Sequence, residues 1–362
     1  MKVLQIINNL STGGAEKLIL ETIPLFRKKG VEADLLVLDD TKYPYMKELE
    51  ALKCCTIIST GKRSLYNPLL IFKIIPYLKK YDLIHVHLFP AQYWTIIAKI
   101  ISFSKTKIIF TEHNTFNRRM QNFFFKKIDK NIYRFYDKII CITKEVKEVM
   151  LKHCEFKSKD IFVIENGVNL DSIIKASPML REEIDRRILE SDKLLIQVAG
   201  FRAQKDQKTV IRSLQYLDLS VKLLLVGDGI FRKECENLVV ELGLKERVFF
   251  LGIRIDVPNL IKMADISVVS SHWEGFGLVA VESMAAGKPV IASNVEGLSN
   301  VVEGAGILFE KGNDIELASK IKKVLNNSVY NQLVNLGLKR AEKYNITNMV
   351  DLHIDMYKSL LE

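Results

Sequence analysis

The stretch Ser271–Asn294 reads SHWEGFGLVAVESMAAGKPVIASN and carries two glutamates, Glu274 and Glu282, with seven residues between them. A Gly-Phe-Gly turn, Gly275 to Gly277, directly follows the first. The pattern predicts a loop, a helix over Leu278–Gly287, and then a buried strand from Pro289. Small residues sit where a ligand would need to approach the backbone closely. Free amides at the start of such a helix attract an anion, and Glu282, about one turn in, could hold hydroxyl groups beside it. An anion next to a polyol describes a nucleotide sugar. An ordinary strand-to-helix connection with solvated glutamates fits the same spacing, so these two residues alone leave the choice open.

Lys205, with Arg202 and Lys208 near it, follows a strand that ends in Ala199-Gly200. Basic side chains at a strand end suit a diphosphate, because charge-assisted hydrogen bonds contribute roughly 1.5–3 kcal/mol each. A solvated, basic start to the following helix is the bland alternative. Gly13 and Gly14 lie between the first strand and a helix, where glycine lets backbone amides approach a phosphate or an acceptor. His113 ends a middle strand, and His85 and His87, two apart on another strand, share one face of it. The spacing of these three histidines matches no familiar zinc set, so no metal site is predicted. There is no G-x-G-x-x-G motif, since Arg232 stands where a third glycine after Gly227 and Gly229 would be needed, and no Walker A motif. Nicotinamide and P-loop enzymes are thereby disfavoured.

The elements that position these residues alternate along the chain. Short apolar runs predict strands at Lys2–Ile7, Ala33–Leu38, Thr56–Ser59, Leu83–His87, Lys107–Glu112, Lys138–Ile142 and Ile161–Ile164, with helices between, such as Ala15–Lys28 and Ala91–Ser102. The rhythm resumes at Leu194–Val198, Val221–Val226, Val248–Leu251, Ile266–Val269, Pro289–Ala292 and Gly306–Phe309. Such alternation predicts two α/β domains with doubly wound parallel sheets, facing across a cleft with ligands at the C-terminal ends of the strands. Leu170–Ser191, with weak strand signal and mixed charge, is read as the link between them, and Ile346–Leu361 as an amphipathic helix. A length of 362 residues suits two such domains.

Together, Glu274-Gly-Phe-Gly-Leu278 and Glu282-Ser-Met-Ala-x-Gly-x-Pro-Val-Ile-Ala292 resemble the signature of retaining glycosyltransferases of the GT-B fold, family four (glycosyl transferases group 1). Gly13-Gly14-Ala15-Glu16, Glu112-His113-Asn114, Asn166-Gly167-Val168, Gln204-Lys205, Gly227-Asp228-Gly229 and Phe250-Leu251-Gly252 extend the resemblance along nearly the whole chain, in order. It implies two Rossmann-like domains: an acceptor-binding one over 1–172 and a donor-binding one over 190–344, with 345–362 crossing back to the first. It also implies a hexosyltransferase that moves sugar from a UDP- or GDP-hexose to a saccharide or lipid-linked saccharide, in capsule, O-antigen, exopolysaccharide or lipopolysaccharide synthesis.

By the same resemblance, Lys205 and an arginine neutralise the departing nucleoside diphosphate. Relatives place that arginine directly after the glycine, whereas Phe201 intervenes here and Arg202 follows. Glu274 contacts donor hydroxyls near the amides of Phe276, Gly277 and Leu278, Glu282 holds the ribose, and Gly252 with the residues after it meets the nucleobase. His113 meets a ring hydroxyl, and Gly14 lies at the donor. No carboxylate is assignable as a nucleophile beneath the anomeric carbon, and the resemblance implies retention by a front-face route. No D-x-D triplet occurs, so no cofactor or divalent cation is expected. A nucleotide-sugar epimerase of similar architecture and a non-catalytic nucleotide-sugar binding partner are the alternatives.

Five cysteines without a C-x-x-C pair suggest a reduced, cytoplasmic setting. No secretory leader is read at the start, and the longest apolar run, Tyr93–Phe103, is too short to span a bilayer. A net charge of +10 suggests an anionic partner, although a generally lysine-rich composition explains it as well. Nothing resembles a nucleic-acid-binding pattern. In Asn117–Lys138, Phe123, Phe124, Phe125, Tyr133, Phe135 and Tyr136 interleave with Arg118, Arg119, Lys126, Lys127, Lys130 and Arg134. That pattern could dock peripherally on the anionic inner face of a membrane or on a lipid-diphosphate acceptor, or it could be an amphipathic helix with its aromatics in the core.

Overall fold

The computed structural model describes residues 1–61, 64–114, 122–154, 160–325 and 327–362. It divides into one unit of Met1–Gly167 with Ile346–Glu362 and a second unit of Val168–Asn345. Every predicted strand is present, within one residue at either end.

The first unit holds β1 (Lys2–Ile7), β2 (Glu32–Val37), β3 (Ile57–Ser59), β4 (Leu83–His87), β5 (Lys107–Glu112), β6 (Lys138–Cys141) and β7 (Ile161–Val163). Their order in the sheet is β3-β2-β1-β4-β5-β6-β7, and the pairings are parallel. Strands covered on both faces read as continuous aliphatic runs, and β1, KVLQII, is buried from its second residue onward. The chain order reverses between β1 and β4. Helix Ile346–Leu361 belongs to this unit and packs on helix Gly14–Lys28, with the Tyr357 ring 5.7 Å from Phe26 and the Lys29 ammonium 2.6 Å from the Asp351 carboxylate.

The second unit holds β8 (Lys193–Val198), β9 (Val221–Val226), β10 (Val248–Gly252), β11 (Ile266–Val269), β12 (Val290–Ser293) and β13 (Ile307–Phe309). Their order is β10-β9-β8-β11-β12-β13, again parallel, with the reversal between β8 and β11. The segment 170–191 is not a free link. It forms helix Leu170–Lys175 and a short 3₁₀ turn, and it buries Ile188 against Leu194, Phe249 and Leu260 of the second unit. Arg181 anchors it by donating to the carbonyls of Leu189 and Asp192. Its weak strand signal reflects packing by a few well-spaced apolar residues rather than by a regular pattern.

Candidate active site

In doubly wound sheets the crevice at the chain reversal is the usual place for a ligand. In the second unit this lies beyond the ends of β8 and β11. After β8, Phe201 is fully buried and stacks 5.8 Å from Phe250, which anchors the loop in the core. That burial explains the extra residue before Arg202: Phe201 points inward, and Arg202 is left exposed above Gly200. A 3₁₀ turn, Ala203–Lys205, then delivers Lys205. Its ammonium forms a hydrogen-bonded ion pair with Glu274, which comes from the loop after β11. Both side chains are largely shielded, at 24% and 15% exposure, so the pair sits in a lower dielectric than a surface bridge. Lys208 faces elsewhere and pairs with Glu234 at 2.6 Å.

Three contacts missed by reading the sequence fix this pair. Ser271 donates to Glu274 Oε2 at 3.0 Å. His272 N–H donates to the Gln204 carbonyl at 2.7 Å, and Gln204 Nε2 returns a bond to the Trp273 carbonyl at 2.7 Å. The residues flanking Lys205 and Glu274 are thus tied loop to loop. Nothing in their spacing announced this, since 69 residues separate the two charged groups.

The loop after Glu274 is compact. Gly277 has φ +93°, and a Cβ there would lie 2.5 Å from Leu298; a Cβ at Gly297, φ +80°, would lie 2.4 Å from the Glu274 carbonyl. Both positions favour glycine for conformation, and Gly297, where a Cβ would meet backbone, needs it for room as well. Phe276 buries its ring edge-on to Tyr344, centroids 5.1 Å apart, so only its backbone is placed for a ligand. Helix Leu278–Ala285 starts at Leu278 and ends two residues before the predicted Gly287. Glu282 lies within it and is 5% exposed, a buried carboxylate rather than a solvated one. Gly252 ends β10 with φ +66°.

Gly14 and His113 belong to the first unit, again near a chain reversal. Gly14 opens helix Gly14–Lys28 just after β1, and Ser11 donates to Glu16 in the first turn. His113 follows β5, with its Nε2 3.2 Å from His87 Nδ1. His87 Nε2 meets Gln5 Oε1 at 2.9 Å, and His85 meets Tyr357 Oη at 2.7 Å and Thr111 Oγ1 at 2.6 Å. These residues line a small cavity together with Asn166 and His353. Burial holds His85 and His87 well below an imidazole's usual value. It takes His113 and His353 down to about 4, with His353 adding repulsion at His113. The wall is therefore neutral at pH 7. No group of three or more His, Cys, Asp or Glu residues positioned to hold a metal occurs among the described residues.

The aromatic and basic segment divides. Asn122 caps helix Phe123–Tyr133 by accepting from the amides of Phe124 and Phe125. Tyr133 and Tyr136 are buried, whereas Phe123 and Phe124 are 84% and 67% exposed, beside exposed Lys126 and Lys127. Phe125 is half-buried, and Phe135, 46% exposed, lies just past the helix. Arg118 and Arg119 lie outside the described residues. No helix among the described residues is long and apolar enough to cross a membrane.

Two α/β units with parallel sheets, each with polar residues at its chain reversal, define the GT-B architecture of glycosyltransferases. Residues 12–172 match the model for glycosyltransferase family 4 and residues 179–345 that for glycosyl transferases group 1. The chain is a glycosyltransferase of that fold, carrying one domain of each kind. It is 25% identical to the EpsD protein of Bacillus subtilis across 93% of this chain and 91% of EpsD. It is 26% identical to the UDP-Gal:α-D-GlcNAc-diphosphoundecaprenol α-1,3-galactosyltransferase of Escherichia coli, across 77% of this chain and 76% of that one. An uncharacterized glycosyltransferase of Methanocaldococcus jannaschii is 28% identical over 62% of this chain, which spans 60% of that relative. Among solved structures, HepE of Anabaena in complex with UDP and glucose matches with a TM-score of 0.85 at 22% identity, over 99% of this chain and 100% of HepE.

Proposed function

We propose that the protein transfers a hexose, with retention of anomeric configuration, from a UDP-hexose or GDP-hexose to a saccharide acceptor. The observation that carries this reading is the shielded Lys205–Glu274 pair at the chain reversal of the second unit, directly before the glycine-opened helix that buries Glu282. In the proposed complex the diphosphate draws the Lys205 ammonium, with Arg202 supporting it, and Glu274 is freed to hold hydroxyls of the donor sugar. The amides of Phe276, Gly277 and Leu278 approach the sugar and phosphates, Glu282 holds the ribose, and the backbone from Gly252 onward meets the base. Gly14 borders the donor, and neutral His113 accepts or donates at a ring hydroxyl. Negative charge grows on the departing phosphate, so a fixed cation there stabilises the transition state more than the ground state. The same phosphate takes the acceptor proton, and no divalent cation is required. UDP is favoured over GDP because HepE and the Escherichia coli enzyme are both named with uridine nucleotides.

The acceptor, in this reading, is a lipid-linked saccharide, the kind of acceptor that the Escherichia coli relative's name gives for that enzyme, and the proposed setting is bacterial surface polysaccharide synthesis. Exposed Phe123 and Phe124 beside Lys126 and Lys127 suit peripheral contact with an anionic leaflet. Flotation with anionic vesicles at low salt tests that contact, and failure to float would remove it. The donor site is tested by thermal shift with UDP, GDP, ADP, dTDP and CMP on wild type and Glu282→Ala. A nucleotide at ~100 times its dissociation constant stabilises the fold by about 2.7 kcal/mol. The expected result is a shift with one nucleoside diphosphate that Glu282→Ala abolishes. No shift with any of them would overturn the donor assignment.

A further inference from the structure

We propose that Gln197 and Ser270 are positioning residues that clamp the backbone of Lys205 and Asp206, and so aim the Lys205 ammonium. The proposal rests on the role given to Lys205 above. Gln197 lies on β8 and Ser270 just past β11, and both are buried. Gln197 Nε2 donates to the Lys205 carbonyl at 2.8 Å and to Ser270 Oγ at 2.9 Å. The single Ser270 hydroxyl hydrogen is in turn shared between the carbonyls of Lys205, at 3.0 Å, and Asp206, at 2.9 Å. Turning the Gln197 amide over would set its oxygen against the Lys205 carbonyl, so the orientation is fixed by its partners.

Two features show that local preference does not explain this arrangement. Gln197 interrupts the apolar strand KLLIQV, and its Oε1 is buried with no hydrogen-bond donor among the described residues. Methionine would fit such a strand without that desolvation cost. Asp206 adopts φ +43°, ψ +54°, a left-handed conformation that residues with a side chain seldom take. Its side chain caps helix Gln207–Ser213 through Thr209, and its carbonyl is held by Ser270. The turn that carries Lys205 is thus pinned on both sides. The two adjacent serines act on opposite members of the ion pair, Ser270 fixing the backbone of the cation and Ser271 the Glu274 carboxylate.

The test measures nucleotide release from the donor sugar in wild type, Lys205→Ala, Ser270→Ala, Gln197→Met and Lys205→Ala/Ser270→Ala, together with nucleoside diphosphate affinity and melting temperature. Ser270→Ala and Gln197→Met are each expected to lower kcat by about tenfold or more while affinity changes by less than about twofold. Gln197→Met is expected to melt no lower than wild type, because it removes the orphaned oxygen, which separates positioning from folding. In the Lys205→Ala background, Ser270→Ala is expected to cost less than about twofold more, the non-additivity of residues acting through one group. If Lys205→Ala cripples turnover but both single clamp variants keep wild-type kcat, the clamp is overturned and the role of Lys205 stands. The same follows if the Ser270→Ala loss multiplies undiminished onto Lys205→Ala. Normal turnover in Lys205→Ala overturns both.

Discussion

The two units share one plan, a parallel sheet with its polar residues where the chain order reverses, yet they furnish that place in opposite ways. Beyond β8 and β11 the second unit sets a shielded cation against a carboxylate. On β1 and β4 and just past β5, the first unit sets Gln5, His85, His87 and His113, with Tyr357, in a chain of neutral hydrogen bonds. Burial acts on both but selects different outcomes. In the second unit the shielded groups are paired with opposite charge. The imidazoles of the first unit, which find neutral hydrogen-bond partners and one another, are held uncharged by burial first and by mutual repulsion second. Topology thus fixes where a site lies, and the side chains placed there decide whether it suits a phosphate or an uncharged hydroxyl.

Removing the charge from the second site should produce the largest effect. Lys205→Ala is expected to lower kcat by roughly 10²–10³-fold, the range found when one group that stabilises developing negative charge is deleted. Nucleoside affinity should change far less, because the base and ribose contacts assigned to Gly252 and Glu282 remain. Steady-state kinetics beside calorimetric titration of the nucleoside would check this. Equal losses in turnover and in nucleoside binding would mean that Lys205 serves ground-state binding, and the contrast between the two sites would lose its catalytic meaning.

Acid should separate the units next. An imidazole in the unfolded chain titrates near 6.5, whereas His113 and His353 titrate near 4 in the folded unit and His85 and His87 lie well below the usual value. The unfolded chain therefore binds more protons in this range, and stability rises with pH. The contribution of these four groups is fully present above about pH 6.5 and drains away as pH falls towards 4. Calorimetric melting at steps between pH 7.5 and 5 should show the transition of the first unit moving down before that of the second. Transitions that move together would show that the histidine wall does not govern the first unit's stability.

Much of this was legible in the sequence, for identifiable reasons. Short apolar runs separated by helical patterns argued for parallel strands with crossover helices, and the strands lie within a residue of the places read. The helix Ile346–Leu361 was equally plain from its apolar period. Local chemistry was readable where neighbours in sequence are neighbours in space: Glu274 with Gly277, or His85 with His87, whose rings lie 4.2 Å apart. What stayed hidden was long-range pairing. No spacing joins Lys205 to Glu274, or His85 to Tyr357 across 272 residues. Nor did any pattern tell which aromatics of Phe123–Tyr136 would face water, because helical phase decides that only once the sheet is present. One signal was missed though visible: a lone glutamine in an apolar strand, Gln197, marks a buried polar duty.

The smallest expected effect sharpens the comparison from the first unit's side. Tyr357 lies on helix Ile346–Leu361, fully buried, with its hydroxyl 2.7 Å from His85 Nδ1 and accepting from Gln5 Nε2 at 3.3 Å. Tyr357→Phe keeps the ring against Phe26 but deprives His85 of a partner at one ring nitrogen. A buried polar group left unsatisfied costs about 1–3 kcal/mol, and the loss should appear as a lower denaturant midpoint for the first unit with its slope unchanged. The second unit should unfold as before, and nucleoside diphosphate affinity should be untouched. If the midpoint does not move, the imidazole has turned to other partners. The hydrogen-bond chain would then be a loose network rather than a wall set by the returning helix.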